Sequence, residues 1–298
     1  MKEGQLVPLG GGISVDVPWL RPPHKPEALF ARRAARLDDL AAGHSAGEWL
    51  AMLARLCAAQ AVAAEAMSAT ARADGPLPVG ETPLRFATWP RHSGWRDALG
   101  IIVRTMQEAS LPAPARDALA RLGVAPATRI EAWADALLAA ADDDRPEPAA
   151  APFLAAALQV YFSTLAATVK VAAVARQNGV AGAGCPVCGF AAVAGIVQGD
   201  DKVRYLCCGL CASDWHVTRV QCTLCRATGG ISYHAIEGAP AGVKAETCAA
   251  CRVYLKLFYR EQRPFAEPLA DGAASLALDL LLGEAGYSDA GVNLLVVA

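Results

Sequence analysis

The sequence predicts an α+β protein with an N-terminal all-α helical domain, two rubredoxin-like or zinc-ribbon β modules and a C-terminal helix. Three observations predict this fold. Apolar residues recur at three- and four-residue steps over the first part of the chain, four Cys-x-x-Cys pairs lie within 67 residues, and short alternating segments separate those pairs. We therefore predict a helical domain at 1–180, two metal-binding modules of four cysteines each at 181–262, and a C-terminal helix within 263–298 that packs on the helical domain.

Composition and charge limit the class of protein. The chain has 298 residues, of which 54% are hydrophobic, and its mean hydropathy is +0.28. Its most apolar stretch, 153–175, is interrupted by polar residues, whereas a membrane span needs about 20 nearly uninterrupted apolar residues. We interpret it as a buried helix and expect no membrane insertion. The start MKEGQLVPLGGG lacks a cationic cluster followed by an apolar core, so we expect a cytoplasmic protein.

Proline, glycine and capping signals delimit the helices of the first domain. Ser45 with Glu48 and Thr128 with Glu131 fit the capping-box pattern. No Gly-rich phosphate loop or nucleophile elbow interrupts this region, so we interpret its apolar stripes, which include Cys57, as the core of a helical bundle. The predicted helices cover approximately 26–42, 46–73, 95–108, 128–141 and 149–177.

Eight of the ten cysteines form four pairs in the second half of the chain. Two residues between the thiols allow a tight knuckle to direct both sulfurs at one ion, and two knuckles complete a tetrahedral four-sulfur site. In a reducing cytosol this clustering indicates metal thiolates rather than structural disulfides. The predicted ligands are Cys185, Cys188, Cys208, Cys211, Cys222, Cys225, Cys248 and Cys251.

Hairpins between the pairs indicate which knuckles share an ion. The segments 191–198 and 203–207 form one predicted hairpin, and 230–237 and 243–247 form another. Because a hairpin returns the chain to its start, the first two pairs should form one site and the last two pairs the other. An interleaved arrangement, in which the first pair joins the third and the second joins the fourth, uses the same eight ligands and stays open.

The ligand set accepts either iron or zinc. The segment Cys185-Pro186-Val187-Cys188-Gly189 has the form common in rubredoxin knuckles, where backbone N–H groups donate to the sulfurs. We therefore predict two iron ions, one per site, with zinc as the alternative. Cys207 should point away from its neighbour Cys208 in an extended segment, and His216 and His234 are interpreted as surface or strand residues.

Several functions are compatible with such modules. Metal knuckles most commonly stabilise a small fold, because binding free energy replaces a large core. A thioredoxin-type dithiol is disfavoured, since that motif is not expected in four copies, whereas an electron carrier requires iron. A nucleic-acid-binding zinc ribbon is disfavoured, because 180–260 carries eight Lys or Arg against five Asp or Glu without a concentrated stripe, and the whole chain has a net charge of −2.

A last helix follows the modules. It is predicted over approximately 269–285, with Gly286 as its terminator. Its apolar stripe would consist of Ala273, Leu276, Leu280 and Leu281.

Five segments carry a family resemblance. They are CPVCG at Cys185, RYLCCGLCASDWHVTRVQCTLC from Arg204, KAETCAACRVYLKLFYRE from Lys244, EPLADGAASLALDLLLGEAGY from Glu267, and RPPHKPEALFARRAARLDDLA near the N-terminus. Together they resemble the formate dehydrogenase accessory proteins of the FdhE family. The resemblance implies a cytoplasmic maturation factor, not an enzyme. Such a factor would bind iron through these Cys-x-x-Cys sites and interact with the catalytic subunit of respiratory formate dehydrogenase.

Two positions depart from the family pattern. This chain has Ala270-Asp271-Gly272 where the family tends to have Ala-Asp-Asp, and Asn293-Leu294 where it has Asn-Pro. Any role of the second aspartate of the family pattern therefore does not carry over to this chain, which has Gly272 at that position. We interpret Glu267 and Asp271 as favourable charges at a helix N-terminus rather than as partner-binding residues.

Overall fold

A computed structural model describes residues 17–70, 82–141, 144–174 and 184–296. Within these residues, six helices precede the six longer strands of an eight-stranded sheet and two short helices follow them, while a two-residue strand of the same sheet lies before the first helix and another lies after the last. The arrangement confirms the predicted fold class. The helices are α1 Pro26–Ala41, α2 Gly47–Thr70, α3 Gly94–Gln107, α4 Ala113–Val124, α5 Ala127–Ala139, α6 Ala151–Ala166, α7 Pro268–Ala273 and α8 Leu276–Glu284. The strands are β1 Leu20–Arg21, β2 Ala192–Gln198, β3 Val203–Cys208, β4 Asp214–His216, β5 Ile231–His234, β6 Val243–Cys248, β7 Val253–Tyr259 and β8 Ser288–Asp289.

Helix α6 is the centre of the helical part. Almost its whole length is buried, and it contacts α2, α3 and α5. This confirms the interpretation of the most apolar stretch as a buried helix as far as Ala166. Its one amide side chain, Gln159, accepts a hydrogen bond from Gln60 Nε2 at 2.9 Å and donates to the Gly209 carbonyl at 2.8 Å. A buried polar group therefore links the helical core to the cysteine-bearing region.

Helix α2 is long and apolar. Among the described residues, one helix, Gly47–Ser68, is long and apolar enough to cross a membrane. However, 56% of its apolar segment is buried inside the protein. Leu50, Leu53, Leu56 and Cys57 lie in the same core as α6. The apolar surface of this helix is therefore used in packing, which confirms Cys57 as a core residue.

The helices differ from the prediction in two places. The helix predicted to reach 177 ends at Ala166, where Thr168 Oγ1 donates to the Leu165 carbonyl and a short 3-10 turn follows at Val171–Ala173. The β-branched residues after Thr168 favour this end. Helix α4 was not predicted, although its buried residues have helical spacing. The predicted end of the second helix, near 74, lies outside the described residues.

The predicted capping box at Thr128 is wrong. Helix α5 begins at Ala127, so Thr128 already lies inside it. Glu131 does not return to the backbone; its carboxylate accepts hydrogen bonds from Trp95 Nε1, at 3.0 Å, and from Arg96. Contacts with another helix have replaced the local cap.

The two hairpin units form one sheet. Its strand order is β1-β4-β3-β2-β7-β6-β5, with β8 paired to β7. Each unit is antiparallel within itself, and the units join through the parallel pair β2–β7, in which Gly195 lies opposite Leu257. A Cβ atom added at Gly195 would lie 2.6 Å from Leu257 Cδ2. The absence of a side chain at Gly195 therefore allows the two units to pack closely at their junction.

The C-terminal helix is divided into two. Ser275 Oγ donates to the carbonyls of Asp271 and Gly272, at 2.7 and 3.2 Å, and ends α7 before α8 begins. The predicted stripe is wrong in part. Leu278 and Leu282 are buried, whereas Leu280 and Leu281 are 70% and 51% exposed, because the break changes the face that α8 presents to the sheet.

Helix α7 is fixed to α1 by charge. Glu267 is the N-cap of α7, and its Oε2 accepts from the backbone N–H groups of Leu269 and Ala270. Its Oε1 lies 2.9 Å from Arg33 on α1. Asp271 accepts two hydrogen bonds from Arg36, at 2.7 and 3.0 Å. The interpretation of Glu267 as a helix N-terminal charge is confirmed, and both carboxylates have intramolecular partners.

Candidate metal centres

The structure brings the eight predicted cysteines together in two groups of four. Within each group, all four sulfur atoms lie within 4.8 Å of one another. The grouping is the sequential one and not the interleaved alternative. Site 1 consists of Cys185, Cys188, Cys208 and Cys211. Site 2 consists of Cys222, Cys225, Cys248 and Cys251.

The sulfur spacing fits a shared ion. The Sγ–Sγ distances are 3.6 Å for Cys185–Cys211 and 3.4 Å for Cys188–Cys208 in site 1. In site 2 they are 3.6 Å for both Cys222–Cys251 and Cys225–Cys248. Metal–sulfur bonds of about 2.3 Å in a tetrahedron place the sulfurs about 3.8 Å apart, whereas a disulfide requires about 2.05 Å. All ten cysteines, which lie in the described part of the chain, are free thiols.

The four knuckles share one backbone feature. The residue after the second cysteine of each pair has a positive φ, a conformation that only glycine adopts without strain. In the first knuckle this residue is glycine, which allowed the sequence to indicate a rubredoxin-like turn. The other three knuckles use other residues, so no such signal marks them in the sequence. The φ values are 78° at Gly189, 58° at Ala212, 64° at Arg226 and 57° at Arg252.

Backbone N–H groups point at the sulfurs. In site 1, Val187 N lies 3.4 Å from Cys185 Sγ, and Leu210 N lies 3.4 Å from Cys208 Sγ. In site 2, Cys225 N lies 3.5 Å from Cys222 Sγ. Such donors stabilise thiolates and tune a bound ion, so the knuckles are built to hold charged sulfur.

Site 1 is enclosed by the helical part of the chain. Its four cysteines are buried. The segment between α2 and α3 hydrogen-bonds to its first knuckle, through Leu84 N to the Val187 carbonyl and Phe86 N to the Cys188 carbonyl, both at 2.9 Å. Gln159 on α6 holds the second knuckle at Gly209. Separate parts of the helical region therefore fix both knuckles of this site.

Site 2 lies at the surface. Cys225 is exposed and Cys251 is partly exposed, whereas Cys222 and Cys248 are buried. Two apolar side chains of the same loop, Val220 and Leu224, are 52% and 45% exposed. The two sites therefore have the same ligands in different surroundings.

Burial makes the thiols of site 1 difficult to ionise without a cation. It raises the pKa of Cys185 and of Cys188 well above the ordinary value. At Cys211 burial acts in the same direction, but hydrogen bonds with the neighbouring thiols outweigh it and hold the pKa well below that value. In site 2, burial at Cys248 is outweighed by backbone N–H groups, which lower its pKa to about 7. Each site thus favours a mixture of thiol and thiolate, and only a cation would stabilise four thiolates together.

The other candidate residues lie outside both groups. Cys207 is buried on the other side of its strand, beside Asp214, and burial raises the pKa of its thiol well above the ordinary value. His216 packs edge-on against Tyr205, with ring centroids 5.9 Å apart. His234 Nε2 lies 3.0 Å from Thr247 Oγ1. These contacts agree with the roles expected for the three residues.

Comparisons with known proteins match almost the whole described chain. A family model described as "FdhE, N-terminal" matches 17–178, one described as "FdhE, central domain" matches 184–219, and one described as "FdhE, C-terminal domain" matches 220–296. The last two meet between site 1 and site 2. A protein from Cronobacter sakazakii named "Protein FdhE homolog" is 35% identical over 271 residues, which cover 89% of this chain and 87% of that protein.

Relatives from Pseudomonas aeruginosa match at similar length. A protein of the same name is 38% identical over 291 residues, covering 92% of each chain. The crystal structure of the FdhE protein from this organism superposes with a TM-score of 0.80 at 37% sequence identity, covering 91% of this chain and 97% of that chain. Both the sequence and the fold are therefore shared over nearly the full length.

Proposed function

The chain belongs to the FdhE family, and from that premise we propose that it is an accessory factor in the maturation of respiratory formate dehydrogenase. In this proposal the protein acts in the cytoplasm, is not an enzyme and contacts the catalytic subunit. It binds two iron ions, one at each four-cysteine group. The observation that carries the proposal is the pair of preformed four-sulfur groups on one sheet that is joined to a helical body.

The donor set supports the metal-binding part of this proposal. Four sulfurs per group, backbone N–H donors and spacing close to that of a tetrahedral site fit a tetrahedral ion. Iron would supply a one-electron couple when bound, whereas zinc would supply a redox-inert crosslink. The eight cysteines would hold the ions, and Gln159, Leu84 and Phe86 would position the knuckles of site 1.

The closed ligand set supports a role other than catalysis. Catalytic zinc sites keep a position open for water or substrate, whereas each group here offers four protein sulfurs. A site with four protein ligands is suited to stabilising a surface or transferring an electron. An assembly factor that binds another protein requires only such a site and no catalytic position.

A rubredoxin-like electron carrier is the second candidate. The exposure of Cys225 favours it, because electron transfer requires a metal site close to the surface. Elemental analysis of the untagged protein, purified without oxygen from cells grown with ample iron, distinguishes iron from zinc at the two sites. A protein that holds only zinc under these conditions would exclude the electron carrier and the iron part of the main proposal.

A gene deletion tests the main proposal. We expect the deletion strain to lose formate oxidation while the catalytic subunit of formate dehydrogenase still accumulates. A plasmid carrying the wild-type gene or the Cys57→Ala variant should restore activity, because Cys57 lies in the helical core and in neither cysteine group. The Cys185→Ser/Cys188→Ser variant should not. Normal formate oxidation in the deletion strain would reject the proposal, and co-purification of the catalytic subunit with the wild-type protein tests the contact.

A further inference from the structure

We propose that the two sites exchange their metal ions at different rates. Site 2 exchanges its ion with thiols or chelators in solution, whereas site 1 retains its ion for as long as the protein stays folded. The inference rests on the proposed function only in taking both cysteine groups as metal sites. It assigns a separate activity, metal exchange with soluble soft ligands, to one of the two.

Access is the first reason. An incoming ligand can reach site 2 at the exposed Cys225 and the partly exposed Cys251. The cysteines of site 1 are at most 1% exposed. Because ligand exchange at a closed tetrahedral site requires the incoming donor to approach the ion, the buried site must open before exchange begins.

The attachment of the knuckles is the second reason. The first knuckle of site 2 is closed by its own backbone, through Cys222 N to the Ala227 carbonyl at 2.9 Å and Arg226 N to the Cys222 carbonyl at 3.0 Å. Gln221 Nε2 also donates to the Arg226 carbonyl at 3.2 Å. These bonds keep the knuckle intact as it moves away from Cys248 and Cys251. In site 1, by contrast, separation of the knuckles also breaks hydrogen bonds to the helical part.

The small cost of opening is the third reason. Val220 and Leu224 are already about half exposed, so displacing the knuckle exposes less additional apolar surface than displacing a fully buried one. The free energy of local opening follows the buried contacts that are lost. Opening of site 1 would expose Val187 and Phe190, which belong to the main hydrophobic core. Site 1 should therefore open only with global unfolding.

The exchange itself conserves bonds and charge. For each sulfur that leaves the ion, one donor atom of the incoming thiol or chelator replaces it, and the freed cysteine takes up the proton that the incoming thiol released. No oxidant or reductant is needed. Cys225 and Cys251 are the first sulfurs expected to be replaced, because they are the two that solvent reaches.

Release kinetics test the inference on the full chain. Protein reconstituted with Zn²⁺ under reducing conditions is mixed with an excess of 4-(2-pyridylazo)resorcinol, and the coloured zinc complex is followed with time. We expect two phases of about one ion per chain each, with the first at least about tenfold faster. In Cys225→Ser/Cys251→Ser the fast phase should disappear and the slow phase should persist. Cys57→Ala, a core change outside both groups, should keep both phases.

Alkylation of the wild-type protein provides a test that needs no variant. Iodoacetamide with the chelator present, followed by mass spectrometry, should modify Cys225 and Cys251 within the fast phase and the cysteines of site 1 only at the slow rate. Release of both ions at one rate, or equal alkylation of both groups, would overturn the inference. A protein that binds no zinc would instead reject the metal sites themselves, which is a failure of the proposed function and not of the exchange difference.

Discussion

Arg204 Nη1 on β3 donates a hydrogen bond to Glu246 Oε2 on β6 at 2.9 Å, although strands β2 and β7 lie between them in the sheet. Both side chains are buried, at 1% and 4% exposure. Tyr233 donates to the same carboxylate oxygen at 3.0 Å. A Cβ atom added at Gly195 would lie 3.6 Å from Arg204 Nε, so the guanidinium passes close to this glycine. The ion pair therefore links the unit that carries site 1 to the unit that carries site 2.

Removal of one partner of this pair should be costly. Glu246→Ala leaves the Arg204 guanidinium buried, with Nε and Nη2 already lacking partners among the described residues. We expect a loss of about 3–5 kcal/mol in the free energy of unfolding, measured by urea denaturation. The double variant Arg204→Met/Glu246→Leu should recover most of that loss, because it removes both charges. A double variant no more stable than Glu246→Ala would contradict this account.

Asp271 should be the main electrostatic link between α1 and α7. Its carboxylate accepts hydrogen bonds from Arg36 and Arg263, and the hydrogen bond to Asp271 raises the pKa of Arg36, so the guanidinium stays charged. Asp271→Ala should reduce the free energy of unfolding by about 3 kcal/mol or more. Glu284→Ala, at an exposed position on α8, should change it by less than about 0.5 kcal/mol. Equal effects of the two changes in a denaturant titration would show that the link adds nothing.

A side chain at Gly189 should be destabilising. Its φ is 78°, and an added Cβ atom would lie 3.3 Å from Thr82 Cγ2. Gly189→Ala should therefore destabilise the protein by about 1–2 kcal/mol, with a lower melting temperature. The matched control is Gly123→Ala in α4, where an added Cβ has no atom within 4 Å. That change should stabilise the protein by about 0.5–1 kcal/mol, so two changes of the same chemistry should have opposite signs.

Asp214 should make stability fall as the pH rises. Burial raises its pKa from 3.8 to about 6, so the folded protein binds the proton more tightly than the unfolded chain. The stability gained from the protonated form is complete below about pH 4 and is lost as the pH rises through about 6. Asp214→Asn removes this loss. The difference in the free energy of unfolding between the variant and the wild type should therefore be about 1 kcal/mol more favourable to the variant at pH 8 than at pH 5. Denaturation of both proteins at the two pH values measures this difference. A variant that gains less stability over the wild type at pH 8 than at pH 5 would contradict the prediction.

Loss of the two sites should differ in extent. Cys185→Ser/Cys188→Ser should remove one ion per chain and lower the melting temperature of the whole protein, because the knuckles of site 1 are bonded to the helical part. Cys222→Ser/Cys225→Ser should also remove one ion but leave the main transition nearly unchanged. Metal analysis and circular dichroism measure both effects. Unchanged metal content in either variant would show that its cysteines hold no ion.

The sequence was sufficient for the features that depend on local spacing. Two residues between paired cysteines and a hairpin between successive pairs favoured two sequential groups of four sulfurs over the interleaved arrangement, and the sequential groups occur in the structure. The buried nature of α6 and the start of α1 at Pro26 followed from composition and from the fixed φ of proline. Local signals failed where a distant contact took over, as at Glu131, whose carboxylate is held by Trp95 and Arg96.

By itself, therefore, the sequence determined the family, the fold class and the eight cysteines of the two sites, because motif spacing and hydrophobic periodicity act over a few residues. The interleaved grouping of the cysteines stayed open until the structure placed them. The tertiary structure decided that the two units share one sheet, that Asp271 joins α7 to α1, and that equal ligand sets occupy unequal surroundings. Burial and long-range pairing depend on which surfaces meet after folding. No local pattern distinguishes Cys188, which the helical part encloses, from Cys225, which solvent reaches.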